Sequence, residues 1–275
     1  MKVELLNPTQ IKLLYYNWGQ VAQVCYASGM EANLEKIGKH CQASGHYSGS
    51  RGDFFKFYVT DVPRACMDQI IRAEEGVFKN CGSFRYINES GFAYEVPATI
   101  KDNPTLMKKY DLHMSATAEL YKEIQAYVQK KTNKIEIANQ SARYVLPMST
   151  HTAFVIGFDL EALIHLCNIR LCSRAEDFSQ EFARQCRDEA LKVLPELKPY
   201  LVPNCEALMY CPEGEKCCGR YPTKEVVQEI LKKNLKKCYT FYFFKHIIYA
   251  SEKRERTTPV GLAKAGIVVS GCLHM

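Results

Sequence analysis

The sequence predicts an α+β domain, and three observations carry that prediction. Short runs of strand composition, KVELL at 2–6 and FFKFYVT at 54–60, stand among longer runs whose apolar residues recur at helical spacing. Stretches rich in Gly, Pro and Ser separate the two kinds of run. At 275 residues and 47% apolar, the chain can pack one large domain or two small ones.

KVELL is the first strand, ended by a turn at Asn7 and Pro8. Val21, Val24 and Cys25 predict a helix over 18–28, and a second helix covers 31–41. Residues 44–53, SGHYSGSRGD, read as a loop. In the following strand Phe55, Phe57 and Val59 share one face. A short helix over 65–71 fits between Pro63 and Gly76, and VFKNCGSFRY at 77–86 reads as extended. From 87 to 112 the polarity rises and Pro97 and Pro104 interrupt it, which predicts an irregular connection. A long helix is expected over 114–131, with Ser115 as N-cap and Leu120, Ile124, Tyr127 and Val128 as its apolar stripe. Helices follow over 135–142, over 160–171 with Asp159 as N-cap and Ala162, Leu163, Leu166 and Ile169 inside, and over 181–194.

After Pro199 the composition shifts. Residues 201–222 form a cysteine-rich loop holding Cys205, Cys211, Cys217 and Cys218. Structural zinc sites usually space their cysteines two to four apart, so these gaps point to reduced thiols, and no metal is expected. A helix and strand extension over 223–250 has Val226, Val227, Ile230, Leu231 and Leu235 on its inner side, and the tail over 251–275 is expected to be partly disordered.

The net charge of +6 suits anionic substrates, but no concentrated basic face precedes residue 230, so nucleic acid is not an expected partner. No apolar run is long enough for a membrane span, and MKVELLNPTQ has no secretory pattern. Thirteen cysteines, an odd number, then predict reduced thiols and a cytoplasmic location.

Two stretches carry chemistry. Pro63–Tyr86 packs Arg64, Arg72, Arg85, Gln69, Asn80 and Ser83 into one segment. Gln69 and Arg72, three apart on a helix, share a face, and Ser83 and Arg85, two apart, share a face of a strand. Guanidinium forks with an amide and a hydroxyl make a site for an anionic, hydrogen-bonding ligand. The second stretch, 143–176, sets Arg143 before a Leu-Pro turn and places His165, Arg170 and Arg174 at the end of an apolar helix. By themselves these residues read equally as surface charge and packing.

Together the stretches resemble the flavin-dependent thymidylate synthases, from residue 1 to about residue 194. The family signature R-H-R, a spacer and S-x-R-Y is matched by Arg72, Ala73 and Glu74, then Ser83, Phe84, Arg85 and Tyr86. The R-x-V-L-P pattern matches Arg143–Pro147, and the apolar helix ending in L-x-x-L-R matches 163–170. The resemblance implies a central, mostly antiparallel sheet flanked by helices, and a catalytic domain over 1–200. It implies methylation of deoxyuridine monophosphate (dUMP) to dTMP, with FAD as cofactor and NADPH and methylenetetrahydrofolate as co-substrates. It also implies a homotetramer with shared active sites. Gln69, Ser83, Arg85, Arg143 and Arg170 would hold the nucleotide, and Ser48, Arg72, Asn80, His165 and Arg174 the FAD. Arg170 would be the catalytic residue, stabilising charge on the pyrimidine in place of a cysteine nucleophile; of the thiols, Cys81, within the central stretch, is the one candidate for that alternative.

The chain departs from the pattern at Ala73 and Glu74, where the family has His and Arg. It departs again at Gly49–Gly52, which follow Gly45, His46 and Ser48 of the flavin-holding loop. Two alternatives therefore stand beside the synthase reading: a flavoenzyme acting on another pyrimidine nucleotide, and a non-catalytic nucleotide-binding paralogue.

Overall fold

The computed structural model describes residues 1–26 and 33–235. In chain order the elements are β1 (Lys2–Leu5), α1 (Pro8–Ile11), α2 (Leu14–Tyr26), α3 (Leu34–Ala43), β2 (Phe55–Pro63), α4 (Arg64–Ile70), β3 (Val77–Cys81), α5 (Pro104–Thr132), α6 (Ile135–Ala142), β4 (His151–Phe158), α7 (Leu160–Arg170), α8 (Asp177–Val193), α9 (Asn204–Leu208) and α10 (Lys224–Leu235). The strands form one sheet in the order β1-β2-β4-β3. Every neighbouring pair is antiparallel. Leu6 donates to Lys56, and Lys2 lies 3.7 Å from Asp61. Arg64 and Ala65 donate to Thr150 and Met148; Gly82 donates to Ala153, and Asp159 to Gly76. An antiparallel sheet with helices around it is thus the observed fold class.

The chain forms two compact units. Unit 1 comprises Met1–Glu4, Phe57–Glu74 and Phe78–Ile156; unit 2 comprises Leu5–Lys56, Glu75–Val77 and the chain from Gly157 onward. In unit 1, β2 buries Phe57 and Val59 on the face that its alternation predicts, and α4 buries Cys66, Met67 and Ile70. The pair α5 and α6 completes its core with Met114, Tyr121, Ala138 and Ala142. In unit 2, α2 and α3 pack closely because two glycines permit it. A Cβ on Gly38 would lie 2.1 Å from the Tyr15 carbonyl oxygen, and one on Gly19 would lie 1.9 Å from that of Leu34. Trp18, Phe158, Leu163, Cys167, Phe182 and Cys186 are buried in the remaining core.

Several sequence expectations are corrected. The irregular connection ends early, because α5 begins at Pro104 with Asn103 as its cap, the Asn103 side chain accepting from Leu106 N–H at 3.1 Å. Proline is compatible with a first helical turn, where its missing donor has no partner to lose. Ser115 is therefore mid-helix, and the buried face runs through Met114, Thr117 and Tyr121, leaving Leu120 and Tyr127 exposed. On α7 the buried side is Leu160, Leu163, Ile164 and Cys167, with Ile169 outside; on α10 Val226 and Ile230 are exposed. Helix α3 starts at Leu34 rather than 31, capped by Asn33, and α8 starts at Asp177. The expected strand after 238 and the tail lie outside the described residues. No helix among the described residues is long and apolar enough to cross a membrane.

Candidate functional site

Unit 1 gathers the first set of chemical groups. Pro63 leads β2 straight into α4, whose first turn is tied to the chain before β4 by the Arg64 and Ala65 N–H groups. Gln69 is half-buried on α4, and Arg72 is exposed just beyond its end. Gly76, at φ +66°, then reverses the chain into β3, in a backbone region that side chains disfavour. Asn80 is exposed on β3. The strand stops at Cys81, and Ser83–Tyr86 is a turn closed by Tyr86 and Ile87 N–H groups on the Ser83 carbonyl. This corrects the expectation that Ser83 and Arg85 lie on one strand face. The turn instead exposes both, with the Arg85 N–H 3.4 Å from Ser83 Oγ and the Arg85 guanidinium 5.4 Å from the Tyr86 ring centre. Arg64 lies 5.3 Å from the centre of the Phe84 ring and 3.6 Å from Asp68. Arg143 is half-buried at the end of α6, beside Tyr144 at 5.9 Å.

The sequence reading missed the run that follows Pro147. Ser149 Oγ, Thr150 Oγ1, His151 Nε2 and Thr152 Oγ1 are all buried without a hydrogen-bond partner. His151 Nε2 faces Glu95 Oε2 at 3.6 Å, too far for a hydrogen bond, while Glu95 also meets Lys101 at 3.2 Å. Thr152 Oγ1 lies beneath the Ser83 turn, 3.7 Å from where a Cβ on Gly82 would stand. Lys79 is the second omission. Its Nζ donates to the carbonyls of Ile71 and, at 2.7 Å, Ala73, so it caps the C-terminal end of α4 beside Glu74.

Unit 2 holds the second set. Ser48 is exposed in a 3-10 turn over Tyr47–Ser50, which packs on Trp18 through the Tyr47 ring at 5.8 Å. Asp159 caps α7, accepting from Ala162 N–H at 2.8 Å, and burial raises its carboxyl above the usual carboxylate range. From that helix His165 is exposed and Arg170 half-buried. Arg174, after the helix, pairs with Glu213 at 2.9 Å, and Arg51 pairs with Glu161 at 3.2 Å. The structure thus collects Gln69, Arg72, Asn80, Ser83, Arg85 and Arg143 in unit 1, and Ser48, His165, Arg170 and Arg174 in unit 2.

A family model described as Thymidylate synthase complementing protein matches residues 15–196. This chain belongs to the flavin-dependent thymidylate synthase family. A flavin-dependent thymidylate synthase of Nitratidesulfovibrio vulgaris is 32% identical over 241 residues, covering 82% of this chain and 96% of its own. The protein of the same description from Pyrococcus abyssi is 31% identical over 255 residues (86% and 100%), and that from Thermococcus onnurineus 28% over 233 (78% and 90%).

Membership supports FAD as cofactor, and the donor set of unit 1 suits such a group. FAD is anionic at its pyrophosphate and rich in hydrogen-bonding positions, and unit 1 holds both guanidinium forks and buried hydroxyls that lack partners. Leaving such a hydroxyl unsatisfied costs about 1–3 kcal/mol, a cost that a polar ligand removes. In the sequence the run S-T-H-T begins two residues after Pro147 of R-x-V-L-P, and nothing in it marks its burial.

Proposed function

We propose that the protein is a flavin-dependent thymidylate synthase that methylates dUMP to dTMP, taking the carbon from methylenetetrahydrofolate. FAD, reduced at the expense of NADPH, would supply the hydride that completes the methyl group. The observation that carries this reading is the run of buried polar atoms without hydrogen-bond partners at Ser149–Thr152, in the same unit as Arg72, Arg85 and Arg143 and within the family-matched span.

Each of the chain's own groups has a task in this scheme. Arg85, Arg143, Ser83 and Gln69 bind the nucleotide, its phosphate taken by guanidinium and hydroxyl donors. Arg72, Asn80, Ser48, His165 and Arg174 hold the cofactor. Attack on the donor carbon requires electron density at C5 of the uracil. Arg170 meets that need by stabilising negative charge on the ring, as a fixed cation does best when partly shielded from water. No cysteine takes part: Cys66 is buried in α4, and Cys81 sits at the end of β3 with its neighbour Gly82 tied to β4. A homotetramer with shared active sites completes the proposal.

A second reading has one observation in its favour. Ala73 and Glu74 are exposed at the end of α4, where the family signature carries His and Arg, and a carboxylate there opposes an anionic cofactor. That favours a nucleotide-binding protein without turnover.

The visible spectrum of the purified protein separates the two, recorded after incubation with FAD and removal of the excess, with and without dUMP. A retained flavin band that shifts on adding dUMP supports the synthase. Colourless protein that still binds dUMP sinks it in favour of the binding protein.

A further inference from the structure

The cysteine-rich segment of unit 2 takes no part in the chemistry above, and it is built more closely than its spacing indicates. Cys172, Cys205, Cys211 and Cys218 line one cavity of about 250 Å³, with Arg174 and Arg220 at its wall. Among the described residues no group of His, Cys, Asp or Glu is arranged to hold a metal ion. Two of the thiols are nevertheless held beside one strip of chain. The Cys211 side chain is buried, its N–H donates to the Pro222 carbonyl at 2.7 Å, and the neighbouring Cys217 thiol raises its own. The Cys217 sulfur accepts from the Gly219 N–H at 3.3 Å, and its S–H faces the Tyr221 carbonyl at 3.2 Å. Cys211 through its backbone and Cys217 through its sulfur are therefore both held against the same strip, Tyr221–Thr223, where Cys211 and Thr223 form a parallel bridge. The five residues between them turn back through Gly214–Lys216.

We propose that Cys211 and Cys217 are a reversible dithiol–disulfide pair, closed by exchange with a low-molecular-weight disulfide. Cys217 is half-buried and open to attack, and its sulfur is already the acceptor in this network. Its thiolate attacks one sulfur of the external disulfide and releases one thiolate, leaving a mixed disulfide on Cys217. The Cys211 thiol then gives up its proton and attacks the Cys217 sulfur, expelling the second thiolate. Two protein thiols are oxidised, one external disulfide is reduced to two thiols, and the two protons go to the departing thiolates. The network also assigns the order of events. The Glu213 N–H draws the Cys211 thiol down, but burial and the neighbouring Cys217 outweigh it, so Cys211 keeps its proton longer than an ordinary thiol.

The other thiols differ in ways that make the pair selective. Burial pushes Cys167 up to about 12 and Cys186 well above the ordinary thiol value, so both stay protonated inside the α7–α8 packing. Cys218 is exposed, and a Ser173 hydrogen bond followed by the Arg220 backbone lowers its thiol. The groups that lower it are Ser173 and Arg220 rather than a second sulfur.

The test equilibrates the full chain in buffers of oxidised and reduced glutathione and maps the products by mass spectrometry. Trypsin cuts after Lys216 and so separates the two cysteines. The expected result is a cross-linked Cys211–Cys217 peptide with two titratable thiols lost, reversed by reduced glutathione and retained in Cys218→Ser. A pattern of glutathione adducts with no cross-link overturns the proposal. So does a cross-link to Cys172, Cys205 or Cys218, or one that disappears in Cys218→Ser.

Discussion

The two units treat their polar groups in opposite ways. In unit 2 the charged groups at the two ends of α7 have partners within the protein: Arg174 in Glu213, Arg51 in Glu161, and Asp159 in the start of its own helix. In unit 1 four consecutive residues, Ser149–Thr152, bury polar atoms that no protein group satisfies, and the arginines around the Ser83 turn are exposed. Among the described residues unit 2 leaves one buried polar side-chain atom, Gln42 Nε2, without a hydrogen-bond partner, while unit 1 leaves five, four of them consecutive. The exception among the charged groups named near α7 is Arg170, half-buried at the helix's last turn.

That exception gives the largest expected effect. Arg170→Ala should lower turnover by roughly 10²–10³-fold while the far-ultraviolet circular dichroism stays unchanged; full activity in the variant would remove Arg170 from catalysis. The next tests the rigid packing of unit 2. Gly38→Ala places a methyl group against the Tyr15 carbonyl, and should cost about 1–3 kcal/mol or more in urea unfolding, since α2 and α3 must separate to admit it.

Thr152→Val addresses the deficit in unit 1 directly. Removing a hydroxyl that has no partner should leave the ligand-free protein as stable or more stable, while weakening nucleotide or flavin affinity by up to about tenfold. A lower melting temperature without ligand, with unchanged affinity, would mean that the hydroxyl serves the fold. The smallest effect belongs to Glu213→Gln. An exposed pair of this kind contributes at most about 1 kcal/mol, so thermal unfolding should barely move. Any gain in flavin retention would show that Glu213 competes for Arg174.

The sequence revealed the fold in proportion to how local its causes are. Helix α6 was placed at its observed bounds, and the buried face of β2 followed from strict alternation at Phe55, Phe57 and Val59. The start of α5 was missed because Pro104 was read as a breaker, although Asn103 before it is a good cap. The stripes of α5 and α10 were misplaced because leucine, valine and isoleucine outweighed position: Tyr121 is buried while Leu120 beside it is not. Charge and motif mark Arg85 and Arg143 as candidates in the sequence, and the structure holds Arg85 exposed in the turn and Arg143 half-buried at the end of α6. The site was illegible where the signal is a missing partner, since serine and threonine after Pro147 look ordinary until the burial around them is known.

The clamp made by Lys79 bears on how β3 finds its place. That strand lies at a sheet edge, and its burial runs half-buried, exposed, exposed, exposed, half-buried, so no alternating apolar face specifies its pairing register. Lys79 reaches back to the α4 carbonyls from one position only, and Gly82 is tied to Ala153 three residues later. A slip of two residues would break both attachments and carry Ser83 and Arg85 away from Thr152. Alignment of the Ser83–Tyr86 turn is thus set by a lysine that lies outside the turn itself.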